Sequence, residues 1–346
     1  APAPQLNISK DTSIKKLVTY ISHPHIYGKY FINVADAHPE MEPDGLLIFR
    51  YGSDVDDKGM MNMGSWAFHT YKDDGIGMDG FHRTRSLYNL LAIKQCADYP
   101  FKENPPSDVW YNDVQLMSSR ANNGLFVATH AGTNGESHNH NDIGDFMVYN
   151  DGNPVIIDVG SGTYTARTFS KDRYQLWFNT SAYHNLPTIN GIEQGAGIQF
   201  TATDVSYTKT KTSSQLSMNI SKAYPEDAGV KSWVRIVNLD KAKGVIEVND
   251  KYKMSKRLDG LAQTFMTVCN TDITTPGKII FYMPDQSEVY LDYNPDLWSI
   301  DKEKIDLATP EDQGLKHSWD DRTIWRILLT DKVPVHNKMI LYRIYK

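Results

Sequence analysis

The chain has 346 residues, an ordinary apolar fraction of 40% and a formal net charge of −6. That length implies two structural units, and the mixed polarity a globular protein. The acidic balance argues against general nucleic-acid binding, so any acidic polymer has to be met by basic residues gathered locally. Cys96 and Cys269 make no disulfide framework and read as buried free thiols. No stretch reaches the roughly 18 apolar residues of a spanning helix, and no signal peptide is legible.

Residues 11–99 read as helical. Ile14, Leu17, Val18 and Ile21 follow the spacing of one buried helix face, with Asp11 or Ser13 as cap. A Met-rich helix is expected over 58–72. A third runs from about Phe81 to Ala97 with Leu87, Leu90 and Leu91 inside. These helices do not obviously enclose a core of their own, and they look like the tail of a larger array. Residues 101–107 form a linker stiffened by Pro105 and Pro106.

After the linker the period changes from helical to two. Strands are expected at 109–117, 125–129, 146–149 and 155–159, the last two joined by an Asp151-Gly152 hairpin turn. Further strands are expected near 233–237, 245–248, 264–268, 279–282, 289–293, 324–329 and 339–344. Lys209 and Lys211 alternate on one strand face, the mark of a protected edge, and Trp319 and Trp325 read as packing residues. The fold class is therefore multidomain α+β: a short helical segment (1–100), the linker, then an antiparallel β-sandwich over 108–346.

The chemistry concentrates in Ser137-His138-Asn139-His140-Asn141-Asp142, followed by Asp158 and His184. On an extended strand His138 and His140 would share a face roughly 7 Å apart. The hairpin would carry Asp158 back towards them, and His184 would arrive from a third segment. Two imidazoles and a carboxylate suit Zn²⁺ and leave one histidine for other work. The bland alternative is a polar pocket of hydrogen-bonded histidines, with Asp158 capping backbone N–H groups. Arg173 and Tyr174 could contact an anionic sugar, or Arg173 could pack over an aromatic ring or pair with Asp172. Asn139 and Asn141 could donate to a ligand or satisfy their own loop.

These stretches, with Asp151-Gly152-Asn153-Pro154-Val155-Ile156-Ile157-Asp158-Val159-Gly160 and Ser181-Ala182-Tyr183-His184-Asn185-Leu186-Pro187, resemble the heparinase II/III-like polysaccharide lyases. The resemblance covers about 110–346 and is strongest over 124–194. It implies a β-sandwich that follows an (α/α) toroid, with zinc on His140, Asp158 and His184 and with His138 reaching the cleft. Asn139, Arg173 and Tyr174 then face substrate. It also implies a secreted or periplasmic enzyme acting on an acidic polysaccharide such as heparan sulfate. The family's catalytic tyrosine comes from the toroid, and no segment around Tyr20, Tyr27, Tyr30 or Tyr51 matches it. The chain is expected to be the C-terminal part of such a lyase, joined to an upstream toroid and inactive alone.

The implied reaction is β-elimination. A base removes the uronate C5 proton, an acid protonates the oxygen leaving C4, and the carboxylate is neutralised as charge spreads into it. His138 would serve as base or neutralising partner, since histidines ordinarily titrate near neutrality. Two rivals stand beside this reading: a cupin-like metal enzyme with an open metal face, and a non-catalytic carbohydrate-binding sandwich with a structural ion.

Overall fold

The computed structural model describes residues 12–71 and 83–346. They fall into two units. One holds the chain up to Phe31 together with Glu40–Pro106, and the other holds Ile32–Pro39 with Ser107–Lys346. Asp11, Phe81 and the side chains of Ile14, Leu17 and Val18 lie outside what is described. No described helix is long and apolar enough to cross a membrane.

The first unit contains α1 (Thr12–Thr19), a short hairpin of β1 (His25–Tyr27) and β2 (Tyr30–Phe31), then α2 (Gly45–Asp54), α3 (Lys58–Tyr71), α4 (Arg83–Leu90) and α5 (Ile93–Asp98). The hairpin breaks the all-helical expectation, and Gly28 takes its turn at φ 54°. Asp44 caps α2, its carboxylate accepting from Leu47 N at 2.8 Å. Helices α2 and α3 touch through a reciprocal pair of glycines. A Cβ at Gly45 would lie 2.6 Å from Gly64 O, and one at Gly64 would lie 2.7 Å from Gly45 O.

This unit does enclose cores of its own, contrary to expectation. Phe31, Ile48, Val55, Met60, Met63, Trp66 and Ala67 form one cluster, with Ile21 packed against it. Leu46, Phe49, Ala92 and Cys96 form another. The third expected helix is split after Leu90, and its leucines point outward: Leu87 is 66% exposed and Leu91 82%. The inward face is set instead by Asn89, which accepts from Arg50 Nη1 at 2.8 Å and donates to Asp44 at 3.3 Å. A buried amide with partners fixes the helix rotation that the leucine spacing alone misassigns.

The second unit opens with a five-stranded antiparallel sheet of β3 (Asp108–Tyr111), β4 (Leu116–Arg120), β5 (Leu125–His130), β6 (Phe146–Asn150) and β7 (Asn153–Ile156), in that order. The expected strand over 109–117 is a hairpin, β3 turning into β4 with Gln115 at φ 51°. The β6–β7 turn is the expected one, with Asp151 and Gly152 both at positive φ. Then follow β8 (Pro187–Ile189), β9 (Thr203–Lys209), β10 (Ser213–Asn219), β11 (Val230–Asp240), β12 (Val245–Met254), β13 (Leu261–Thr267), β14 (Asn270–Asp272), β15 (Lys278–Tyr282), β16 (Glu288–Asp292), β17 (Trp298–Lys304), the helix α6 (Gln313–Ser318), β18 (Trp325–Asp331) and β19 (Asn337–Tyr345). Eight of these strands form a sheet ordered β14-β15-β16-β19-β12-β11-β10-β9, and four form another ordered β17-β18-β13-β8.

One hydrophobic core draws on all three sheets, with Val127 and Val148 from the first, Leu216, Val237 and Tyr342 from the second, and Phe265 and Leu329 from the third. Strand β9 is an edge, as its lysine pattern implies, although Lys211 lies in the following turn. Trp319 is buried, with its indole N–H on Val159 O at 3.0 Å, and Lys302 covers the ring of Trp325 at 4.0 Å.

The inward row of β11 reads Trp233, Arg235, Val237, Leu239. Arg235 is fully buried there, and its five donors are all satisfied. Nε and Nη2 grip Asp250 on β12 at 2.8 and 2.6 Å. Nη2 also reaches Gln263 Oε1 at 3.0 Å, and Nη1 donates to Gly144 O at 3.0 Å and Asn185 O at 2.9 Å. The last two carbonyls belong to the loops that carry the candidate site.

Candidate active site

Residues 131–145 are not a strand, so the period-two reading of His138 and His140 fails. His138 sits in a turn at φ 60°. Its side chain is 55% exposed, whereas that of His140 is fully buried. Asp158 lies two residues past the end of β7, and His184 follows a short 3₁₀ turn at Ser181–Tyr183.

The structure does bring His140, Asp158 and His184 together. All three are buried, and one donor atom from each lies within 4.8 Å of the others. His140 Nδ1, Asp158 Oδ2 and both ring nitrogens of His184 are buried without a hydrogen bond. Buried polar atoms are almost always partnered, so unbonded donor atoms gathered from three residues fit a cation. The unbonded oxygen of Asp158 is Oδ2, since Oδ1 accepts from Gly160 N at 2.8 Å. The donor set, two imidazoles and a carboxylate, is one that zinc accepts.

The surrounding charges favour a cation too. Burial pushes the Asp145 carboxyl up, and nearby Asp158 adds to the shift. Burial opposes charge on His184, but Asp158 and Asp145 outweigh it and raise the imidazole well above its ordinary value. At His130, Asp142 overcomes burial and raises the ring to about 9. The centre thus holds three buried carboxylates that call for positive charge.

Asp36 is the residue that sequence reasoning missed. It comes from the 32–39 segment, which belongs to the β unit although helices follow it in sequence. Its Oδ1 lies 3.1 Å from His140 Nε2 and 2.5 Å from Arg173 Nη2. Its Oδ2 lies 3.0 Å from His138 Nδ1 and accepts from Tyr164 Oη at 2.8 Å. Burial pushes this carboxyl up, but the bonds from His140, Arg173 and Tyr164 prevail and hold it well below the usual carboxylate range. By engaging Nε2 of His140, Asp36 leaves Nδ1 for a metal, the carboxylate–histidine arrangement that fixes a ligand's tautomer. Asn33 from the same segment donates to Asp158 O at 3.0 Å.

Arg173 pairs with Asp36 rather than Asp172, and its Nε donates to Asn139 O at 3.1 Å. Asn139 is nearly buried and turns its amide onto His140 O. Asn141 donates to Gln194 O at 3.3 Å. Tyr174 is half-buried in the turn beside Arg173. Tyr164 lies parallel to His138 with ring centres 6.1 Å apart. Burial and its bond to Asp36 push its hydroxyl up to about 12, so it is a neutral phenol near pH 7.

A helical segment followed by a large antiparallel β unit with a buried His–Asp–His cluster defines a recognisable architecture. The sequence profile "Heparinase II/III-like, C-terminal" matches residues 105–315. The chain belongs to the heparinase II/III-like family. Among solved structures, it is similar to a mutant of the heparan sulfate lyase HepC from Pedobacter heparinus, at 12% identity and TM-score 0.64, over 96% of this chain and 46% of that one. It is also similar to a heparinase III (BT4657 gene product) with methylated lysines, at 14% identity and TM-score 0.66, over 96% and 45%. The chain spans about half the length of these relatives, and at such identities they establish the fold. No curated protein sequence matches it.

Proposed function

We propose that the chain is the C-terminal part of a polysaccharide lyase that cleaves a uronic-acid-containing polymer, such as heparan sulfate, by β-elimination. In this reading α1–α5 are the last helices of a toroid, residues 101–107 the linker and 108–346 the sandwich, and the enzyme works outside the cytoplasm, where such polymers occur. The observation that carries it is the exposed His138, held by Asp36 and stacked on Tyr164 beside the buried His140–Asp158–His184 cluster. Membership of the heparinase II/III-like family supports elimination as the chemistry beside that cluster.

A zinc ion on His140, Asp158 and His184 would supply a cross-link between three chain segments. Asp36 holds His138 through Nδ1, which leaves Nε2 to take the C5 proton of the uronate. Tyr164, a phenol at neutral pH, is suited to donating rather than accepting a proton. Arg173 braces Asp36 and the Asn139 carbonyl, so Asn139, Arg173 and Tyr174 shape the wall against which the acidic sugar lies. The cupin-like alternative has no support from the sequence profile, which matches the heparinase II/III-like family over residues 105–315.

Elimination produces an unsaturated uronate that absorbs in the ultraviolet. The full-length gene product is expected to generate it from a uronic-acid polysaccharide, and the 346 residues alone are not. Saccharide binding without elimination at full length would favour the non-catalytic module. Efficient elimination by the chain alone would end the dependence on a toroid. In the active protein, His138→Ala is expected to lower kcat by about 10²-fold, the scale of a lost acid–base group, with metal content unchanged. Loss of the metal in that variant would make His138 a ligand instead.

A further inference from the structure

A second charged feature lies at the other end of the first sheet. Strand β4 runs from Leu116, paired with His130, to Arg120. Its rise puts Arg120 roughly 14 Å from the His130 end. Around Arg120 a cavity of about 500 Å³ is lined by Asp108, Asn122, Lys209, Lys211, Thr212 and Lys241, among others. Pockets for small ligands span roughly 300–1,000 Å³.

Four cationic side chains line this cavity against a single carboxylate, in a protein whose net charge is −6. That carboxylate is structural. Asp108 is nearly buried and accepts from Ser119 Oγ at 2.7 Å and Ser214 Oγ at 2.6 Å, while Lys241 and Lys209 bind its two oxygens. It thereby fixes both lysines at the cavity wall, which lowers the ordering cost of meeting an anion. Arg120 is laid over Phe126 at 5.0 Å. Lys211 is exposed and makes no ion pair among the described residues. Asp240, the carboxylate at the β11–β12 turn, is held by Lys243 at 3.0 Å.

We propose that this cavity is a second saccharide site, which binds a carboxylated or sulfated unit of the polymer at a distance from His138. The proposal rests on the lyase reading for the identity of the anion. Fixed cations with hydroxyl and amide donors beside them suit the carboxylate, sulfate and hydroxyl groups of an acidic sugar. Such a site would keep the polymer attached while its scissile bond is presented elsewhere.

Calorimetric titration with two probes, an unsulfated oligouronate and a heparin-derived tetrasaccharide, tests this. Binding of at least one is expected in the native chain and in His138→Ala. In Lys209→Ala/Lys211→Ala the affinity should fall about tenfold or more, given the strength of charge-assisted hydrogen bonds, with the melting temperature unchanged. The site is refuted if the lysine variant binds like the native chain, or if neither probe binds. It is also refuted if an oligothymidylate of equal charge binds as tightly, since the lysines would then supply only a field. Turnover is not read, so elimination can fail with this site intact, and this site can fail with elimination intact.

Discussion

Arg235→Ala should destabilise the β unit by about 3–5 kcal/mol, the usual cost of leaving one partner of a buried ion pair uncompensated. Asp250, itself buried, would lose both of its guanidinium contacts. The midpoint of urea unfolding reads the loss, and an unchanged midpoint would sink the assignment. A second variant separates stability from positioning. Arg235→Met with Asp250→Leu removes both charges, and such replacements are often neutral or stabilising. That variant should recover most of the midpoint, yet it strips the donors from Gly144 O and Asn185 O. These carbonyls anchor the loops that carry His140 and His184, so metal affinity should stay impaired while stability returns. Recovery of both would mean that Arg235 supports the core and nothing more.

Removing the divalent ion should have a comparable effect. A ligand present at a thousand times its dissociation constant stabilises by about 4 kcal/mol. At roughly 2–4 °C per kcal/mol for a unit of this size, chelation should lower the melting temperature by about 8–16 °C. Protein purified without chelator is expected to carry close to one equivalent of metal, and His184→Ala and Asp158→Ala should each abolish both the metal and the chelator response. If neither substitution changes metal content or melting temperature, the orphaned donors of the cluster have some other partner. Asp36→Asn should weaken metal retention less than the ligand substitutions do, because it orients His140 without replacing a donor.

The three candidate ligands were legible because each sits in a short stretch framed by glycines and turn residues, and the Asp151-Gly152 turn fixes how one strand returns beside another. The local geometry of His138 and His140 was not. A period-two reading assumes a strand, and this loop takes positive φ at His138 instead. The outward leucines of the third expected helix fail for a related reason: spacing proposes a face, but the partners of Asn89 decide the rotation. Asp36 is more than a hundred positions from every histidine it holds, and nothing in its local sequence announces the contact. Arg235 could have been found. It shares a row with Trp233 and Val237 on a strand whose alternate residues are buried, and a charge in such a row must have a buried partner.

The β unit is not one continuous stretch of sequence. Eight of its residues, Ile32–Pro39, are donated from upstream of α2. A truncation at the proline linker would keep every candidate ligand and still discard Asn33, Asp36 and His38, whose side chains meet Asp158, the histidines and Ser318. The sandwich therefore cannot be exchanged between proteins as a cassette cut at that linker. Recombination that respects the visible boundary would pass on the candidate ligands without the carboxylate that meets His140, so residues 32–39 have to travel with the sandwich.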